Sequence, residues 1–230
     1  MNQKSDCAGQ SFLFGFLLFE KGEFFHLRKI SHFKYKMEDV ECKYCTEYNK
    51  KKGCTQRECP WLAERMEAGA VDYEDAVMES FSRDPSLEHK LLIVIRLFQG
   101  SMWMDEGHHQ RMEAMKVREG FRRKRDTPPY FAAMYLLTAN RDICNRTANC
   151  FCRDGIVFDR AAVKDISPRN YTLLSAARDI YTTGDRIALA DLTDGEITDT
   201  TAFCLIVNAL LIARYGSAAL ELRQKTKPEE

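Results

Sequence analysis

The sequence predicts a mainly α protein, with a helical body of about six helices and a small N-terminal four-cysteine finger. Three observations predict it. From Asp72 onward, apolar residues recur at three- and four-residue steps, the period of a helix that buries one face. The same stretch carries helix punctuation: Ser, Thr or Asp before a start, often followed by proline, and glycine at a stop. Four cysteines fall within residues 42–59, ahead of the periodic region.

The helical elements follow in order. Asp84-Pro85 reads as a cap and first residue of a helix carrying Leu87, Leu91, Leu92, Ile95 and Phe98, stopped by Gly100. Asp105 opens the next, with Met112, Met115 and Val117 as apolar contacts. Thr127-Pro128-Pro129 starts a helix through Phe131, Met134, Tyr135 and Leu137. After a break near Asn140, Arg141 to Phe151 reads as helical. Ser167-Pro168 caps a helix containing Tyr171, Leu174 and Ile180. Asp199 or Thr200 caps the last, with Phe203, Val207, Leu210, Leu211 and Tyr215, and Gly216 is its stop. Two short strand-like runs, Gly155-Ile156-Val157-Phe158 and Arg186-Ile187-Ala188-Leu189, are expected to pair as a small ribbon.

Composition narrows the function classes. Of 230 residues, 45% are hydrophobic and 30% charged, which is too apolar for intrinsic disorder. Lys plus Arg and Asp plus Glu are both 34, so a histone-like wrapping protein is disfavoured and basic character must be local. Nine cysteines are too few for a disulfide scaffold. No apolar stretch approaches the roughly 20 residues of a spanning helix.

Three regions follow: an apolar extension over 1–36, a finger over 37–69 and a helical domain over 70–230. The extension contains FLFGFLLF from Phe12 to Phe19. It fits a signal peptide loosely, because no small-residue cleavage site follows. A strand or added helix packing on the body, and a poorly ordered segment upstream of a natural start at Met37, are the other readings.

Residues 42–59 read CKYCTEYNKKKGCTQREC, placing Cys42, Cys45, Cys54 and Cys59 in a C-x2-C-x8-C-x4-C spacing. The first pair can face one ion from a tight knuckle, and the polar turn Lys50-Lys51-Lys52-Gly53 returns the chain for the second. Four thiolates in a tetrahedral array suit structural Zn2+, and a site of four cysteines leaves no open position for catalysis. Pro60 can begin a short helix with Trp61, Leu62, Arg65 and Met66. Two disulfides or unligated thiols are the rival readings. Between Met37 and Pro60 five basic and five acidic residues balance, which favours a structural or protein-contacting finger. Tyr44, Tyr48 and Trp61 serve either as its small core or as stacking platforms for bases.

In the body, Arg118, Arg122, Arg123, Lys124 and Arg125 concentrate five positive charges around Gly120, a helix breaker. Capping of a helix C-terminus accounts for part of such a run, and a binding role toward phosphate or an acidic surface for the rest. All five are expected to be exposed on a projecting loop. Residues 61–104 carry four basic and eight acidic residues, so pairing of the run with that stretch is the rival. His108 and His109 follow Asp105 and Glu106, but adjacent helical side chains diverge by about 100° and do not readily share an ion. Cys144, Cys150, Cys152 and Cys204 read as core thiols. Thr183-Gly184-Asp185 reads as a turn. No Ser-His-Asp order, nucleotide loop or glycine-rich phosphate cradle is present.

Glu106-Gly107-His108-His109, Asp126 with Tyr130, Ala133-Met134-Tyr135-Leu136-Leu137, Ile166-Ser167-Pro168, and Ala202-Phe203 with Asn208 carry a resemblance. Over residues 104–215 the chain resembles an uncharacterised family of small proteins carried by phages and conjugative elements of Gram-positive bacteria. Tyr181-Thr182-Thr183-Gly184 stands where that family has Trp-Gln-Thr-Gly, and the cysteine finger is not part of it. The resemblance implies a mobile-element accessory protein in a bacterial cytoplasm and no particular reaction. Three function classes therefore stand. One is a non-enzymatic binding or regulatory module with a protein, nucleoprotein or nucleic-acid partner. The second is an inhibitor of a host defence nuclease, and the third a metal-dependent enzyme acting on nucleic acid.

Overall fold

The computed structural model describes residues 48–49, 53–54, 71–81 and 86–224. The 1–36 extension lies outside the described residues, as do Cys42, Cys45 and Cys59. Within the cysteine-rich segment, β1 (Tyr48–Asn49) and β2 (Gly53–Cys54) pair antiparallel, with Tyr48 opposite Cys54 and Asn49 opposite Gly53. The Lys50–Lys52 segment joins them, so the chain reverses direction just before Cys54.

Eight α-helices follow among the described residues: α1 (Tyr73–Phe81), α2 (Glu88–Leu97), α3 (Glu106–Glu119), α4 (Pro128–Leu137), α5 (Arg141–Thr147), α6 (Pro168–Thr182), α7 (Leu189–Thr193) and α8 (Thr200–Tyr215). A 3-10 turn, Gly216–Glu221, continues α8. The body is thus mainly helical, as its periodicity predicts.

α4 is the centre. Its sequence, PPYFAAMYLL, is apolar all round, and a helix without a polar face must be enclosed. Tyr130, Ala132, Ala133, Met134, Tyr135, Leu136 and Leu137 are all buried. α6 and α8 pack on it, and α8 contributes Phe203, Ile206, Val207, Leu210 and Leu211 to the same core. The Thr200–Glu221 stretch is 22 residues long with a mean hydropathy of 1.7, so one apolar stretch does reach the length of a membrane span. Because 78% of its apolar window is buried inside the protein, the core accounts for that hydropathy.

Starts and stops follow side-chain chemistry. The Asp105 carboxylate accepts from the His108 backbone N–H at 2.6 Å, and Asp199 accepts from Ala202 N–H at 2.8 Å. Ser167 and Thr127 cap α6 and α4, each ahead of a proline. Gly120 and Gly216 end α3 and α8 at φ 60° and 72°, a region open to glycine because it lacks a Cβ.

Four expectations are corrected. α2 begins at Glu88, with Leu87 at the cap position and no side-chain capping bond; Asp84 and Pro85 lie outside the described residues. The helix expected to run to Phe151 ends at Thr147, where a 3-10 turn leads into β3 (Phe151–Cys152). β3 pairs with β4 (Gly155–Ile156) through a tight turn, not with 186–189, whose last residue opens α7. Short-range closure costs less chain entropy than joining segments thirty residues apart. Val117, expected as an apolar contact, is 82% exposed.

Candidate functional site

The basic run falls on the connection between α3 and α4, and the structure divides its members. Arg122, Arg123 and Lys124 are exposed on the loop. Phe121, beside them, is 82% exposed. Arg118, still on α3, is half exposed; its guanidinium donates to Glu119 Oε1 at 2.9 Å and to the Ala148 carbonyl at 2.8 Å.

Arg125 departs from expectation. Its residue exposure is 6%, and it is part of the framework under the loop. Nε donates to Asp126 Oδ1 at 2.7 Å and Nη2 to the Gly120 carbonyl at 2.7 Å, while Nη1 lies 3.6 Å from Glu119 Oε2. The guanidinium also lies over the Tyr130 ring, 4.8 Å from its centroid. Burial works against its charge, but the Asp126 hydrogen bond and the neighbouring carboxylates hold its pKa above the ordinary value. Among the described residues, the partners of Arg125 come from its own loop and the end of α3.

Asp126 organises the turn from the other side. Its Oδ2 accepts from the Arg122 backbone N–H at 2.9 Å. The Arg122 carbonyl accepts from the N–H groups of Arg125 and Asp126 at 3.0 and 2.9 Å. The exposed cations therefore sit on a turn closed by hydrogen bonds at both ends.

Beneath the loop lies a cavity of about 250 Å³, lined by Met112, Phe131, Met134, Ile212 and Leu220 on its apolar side. Lys116, Glu119, Phe121, Arg125, Asp126, Tyr130 and Ser217 complete it. Two buried polar atoms in this lining have no hydrogen-bond partner, Arg125 Nη1 and Tyr130 Oη. Burial raises the Tyr130 pKa, so its hydroxyl stays protonated; Arg125 acts in the opposite direction and does not reverse the shift.

The histidine pair is structural. His108 is fully buried; Nδ1 accepts from the Met104 backbone N–H at 3.2 Å, which puts the ring proton on Nε2, 2.8 Å from the Tyr135 carbonyl. Burial pushes its pKa down to about 4, against the pull of that carbonyl. His109 packs on Trp103, ring centroids 4.7 Å apart. Cys150 is buried and Cys144, Cys152 and Cys204 are partly buried free thiols. Burial raises the pKa of Cys150 and Cys204 to about 11, which suppresses thiolate reactivity. Among the described residues no group of three or more His, Cys, Asp or Glu side chains can hold a metal ion.

Sequence reasoning missed Phe121, Glu119 and the cavity, and met Asp126 only among the residues of the resemblance. The alternation of cations with Phe121 and the Asp126–Tyr130 spacing are local signals that were on view; the contribution of Ile212, Ser217 and Leu220, from the far end of the chain, had none. No family model, curated protein or solved structure matches the chain.

Proposed function

We propose that this chain is a non-enzymatic binding or regulatory protein that engages a phosphate-rich or acidic partner through Arg122, Arg123 and Lys124. The observation that carries the reading is the division of labour within the basic run. Arg125 is consumed by Asp126, Glu119 and Gly120 to build the turn, and the three cations between them are exposed at its surface. A run that served only to cap α3 would not need a buried ion-paired base. The spacing of Cys42, Cys45, Cys54 and Cys59 supports one structural Zn2+, and the reversal between β1 and β2 is compatible with it. The resemblance over residues 104–215 supports a setting among accessory proteins of bacterial mobile elements, in the cytoplasm.

A second reading has its own observation. Val117, on the last turn of α3, and Phe121, just past its end, are both 82% exposed. Exposed apolar side chains near the cations favour a protein surface, as in an inhibitor of a host defence nuclease. Capture from a Gram-positive lysate, with and without nuclease treatment, separates the two. The proposed function expects material retained by wild type and lost by the Arg122→Ala, Arg123→Ala, Lys124→Ala variant. Nuclease-sensitive capture supports a nucleic-acid partner, a nuclease-resistant effector supports the inhibitor, and equal retention by the variant refutes the role of the loop.

A further inference from the structure

We propose that the α3–α4 loop binds a single-stranded nucleic acid at its solvent face, with the Phe121 ring as the platform on which one base stacks and the adjoining cations on the flanking phosphates. This inference rests on the loop being the contact surface and names the partner. Gly120 ends α3 at φ 60°, and Phe121 is the first residue beyond it. At 82% exposure its ring gains little of the burial that Phe81 or Phe203 gives the core, so the fold does not account for an aromatic side chain there. Arg122, Arg123 and Lys124 follow it directly and are exposed. Half-buried Phe131 lines the same cavity as Phe121, and Lys116 Nζ lies 5.9 Å from the Phe131 ring centroid. Aromatic and cationic groups thus continue from the loop onto α3 and α4.

Charge narrows the occupant to a polyanion. The carboxylates beside the cations are turned into the framework: the Glu119 and Asp126 side chains are 13% and 4% exposed, and both lie against Arg125. Residues 121–124 therefore present one ring and three cations to solvent, and no carboxylate. The ring then selects among polyanions. A duplex keeps its base faces stacked inside and leaves the ring without a partner. An acidic peptide pairs with the cations and offers no planar face. Val117 and Phe121 are the large apolar side chains exposed at this end of α3, short of the contiguous apolar patch that marks a membrane-binding surface. An unpaired strand meets both features, because every base has a π-face and the backbone carries phosphates on either side of it. Stacking of this kind tolerates any base, so the site reads the unpaired state of the strand and not its sequence.

The test is fluorescence anisotropy with a labelled oligo-dT and a labelled duplex, beside co-sedimentation with vesicles of phosphatidylcholine and phosphatidylglycerol. Variants are Phe121→Leu, which keeps apolar bulk and removes the planar ring, Phe121→Tyr, which keeps the ring, and the triple loop variant. All four positions are exposed, and circular dichroism confirms that each variant is folded. Wild type is expected to bind oligo-dT more tightly than duplex and to leave the vesicles unbound. Phe121→Leu should weaken oligo-dT binding by about tenfold with the wild-type salt dependence, and Phe121→Tyr should bind as wild type does. Phe121→Leu binding as tightly as wild type, with the triple variant still weakened, overturns the stacking platform and leaves the loop reading intact. A preference for duplex or vesicles, or no binding of any strand at low salt, overturns the single strand as partner. Affinity and salt dependence unchanged in the triple variant overturn the loop reading itself.

Discussion

The Tyr73 hydroxyl donates to Asn208 Oδ1 at 2.6 Å, joining α1 to α8 across 135 positions of sequence. The same amide donates through Nδ2 to the Met102 carbonyl at 3.1 Å and to the Tyr135 hydroxyl at 3.2 Å. Tyr135 in turn donates to Met102 O. One asparagine thus satisfies groups from α1, α4 and the α2–α3 connection inside an otherwise apolar core. Asn208→Ala removes the three bonds made by its amide, leaves the Tyr135–Met102 bond in place, and takes the acceptor from the buried Tyr73 hydroxyl. It should lower stability by about 1–3 kcal/mol, read as a fall in the midpoint of urea unfolding with little change in slope. An unchanged midpoint would show that the network contributes nothing.

Arg125 should behave unlike its neighbours. Arg125→Ala strips a buried charge from Asp126 and Glu119 and opens the turn, with an expected cost of about 3 kcal/mol or more. Replacing Arg122, Arg123 and Lys124 together should leave the thermal midpoint nearly unchanged, because exposed charges contribute little to stability. Equal effects of the two variants in thermal melts would contradict the separation into framework and surface.

His108 gives stability a specific pH dependence. Its folded pKa, pushed down to about 4, lies below the ordinary 6.5, so the unfolded chain binds the proton first as pH falls. The contribution of the neutral ring is whole above pH 6.5, declines between 6.5 and about 4, and is lost below that. Burial of the ring is the main cause, and a proton on Nδ1 would in addition face the Met104 N–H that it now accepts from. The loss across this window is on the order of 3 kcal/mol. His108→Gln should be less stable at neutral pH and flatter between pH 6.5 and 4; parallel pH profiles for the two proteins would refute this.

The finger should hold one zinc per chain. Metal analysis after purification without chelators is expected to find close to one equivalent, and less than about half would exclude the site. Cys54→Ser should abolish the metal and unfold the finger, because a structural zinc supplies folding energy directly. Far-ultraviolet circular dichroism should still report the helical body, whose core is built from α4, α6 and α8.

What was legible in the sequence was local. Thr127-Pro128-Pro129, Ser167-Pro168, Asp199 and Gly216 mark the three central helices because capping depends on residues within a turn of the boundary. The β3–β4 pairing was misjudged because two-residue strands carry too few side chains to show alternation. α7 is five residues long and hidden for the same reason. In the basic run, five cations look alike until the chain folds; only contact with Asp126, Glu119 and Tyr130 sets Arg125 apart. The cavity joins the α3–α4 region to residues beyond Ile212, a juxtaposition no local pattern encodes.

The most direct test of the loop as the contact surface is the slope of log binding constant against log salt. It is measured with a labelled single strand between about 50 and 200 mM salt, where phosphate contacts dominate the dependence. Each phosphate contact contributes about one unit, so the Arg122→Ala, Arg123→Ala, Lys124→Ala variant should bind more weakly with a slope reduced by about two to three. Two parallel lines of equal affinity for the variant and wild type would contradict the account.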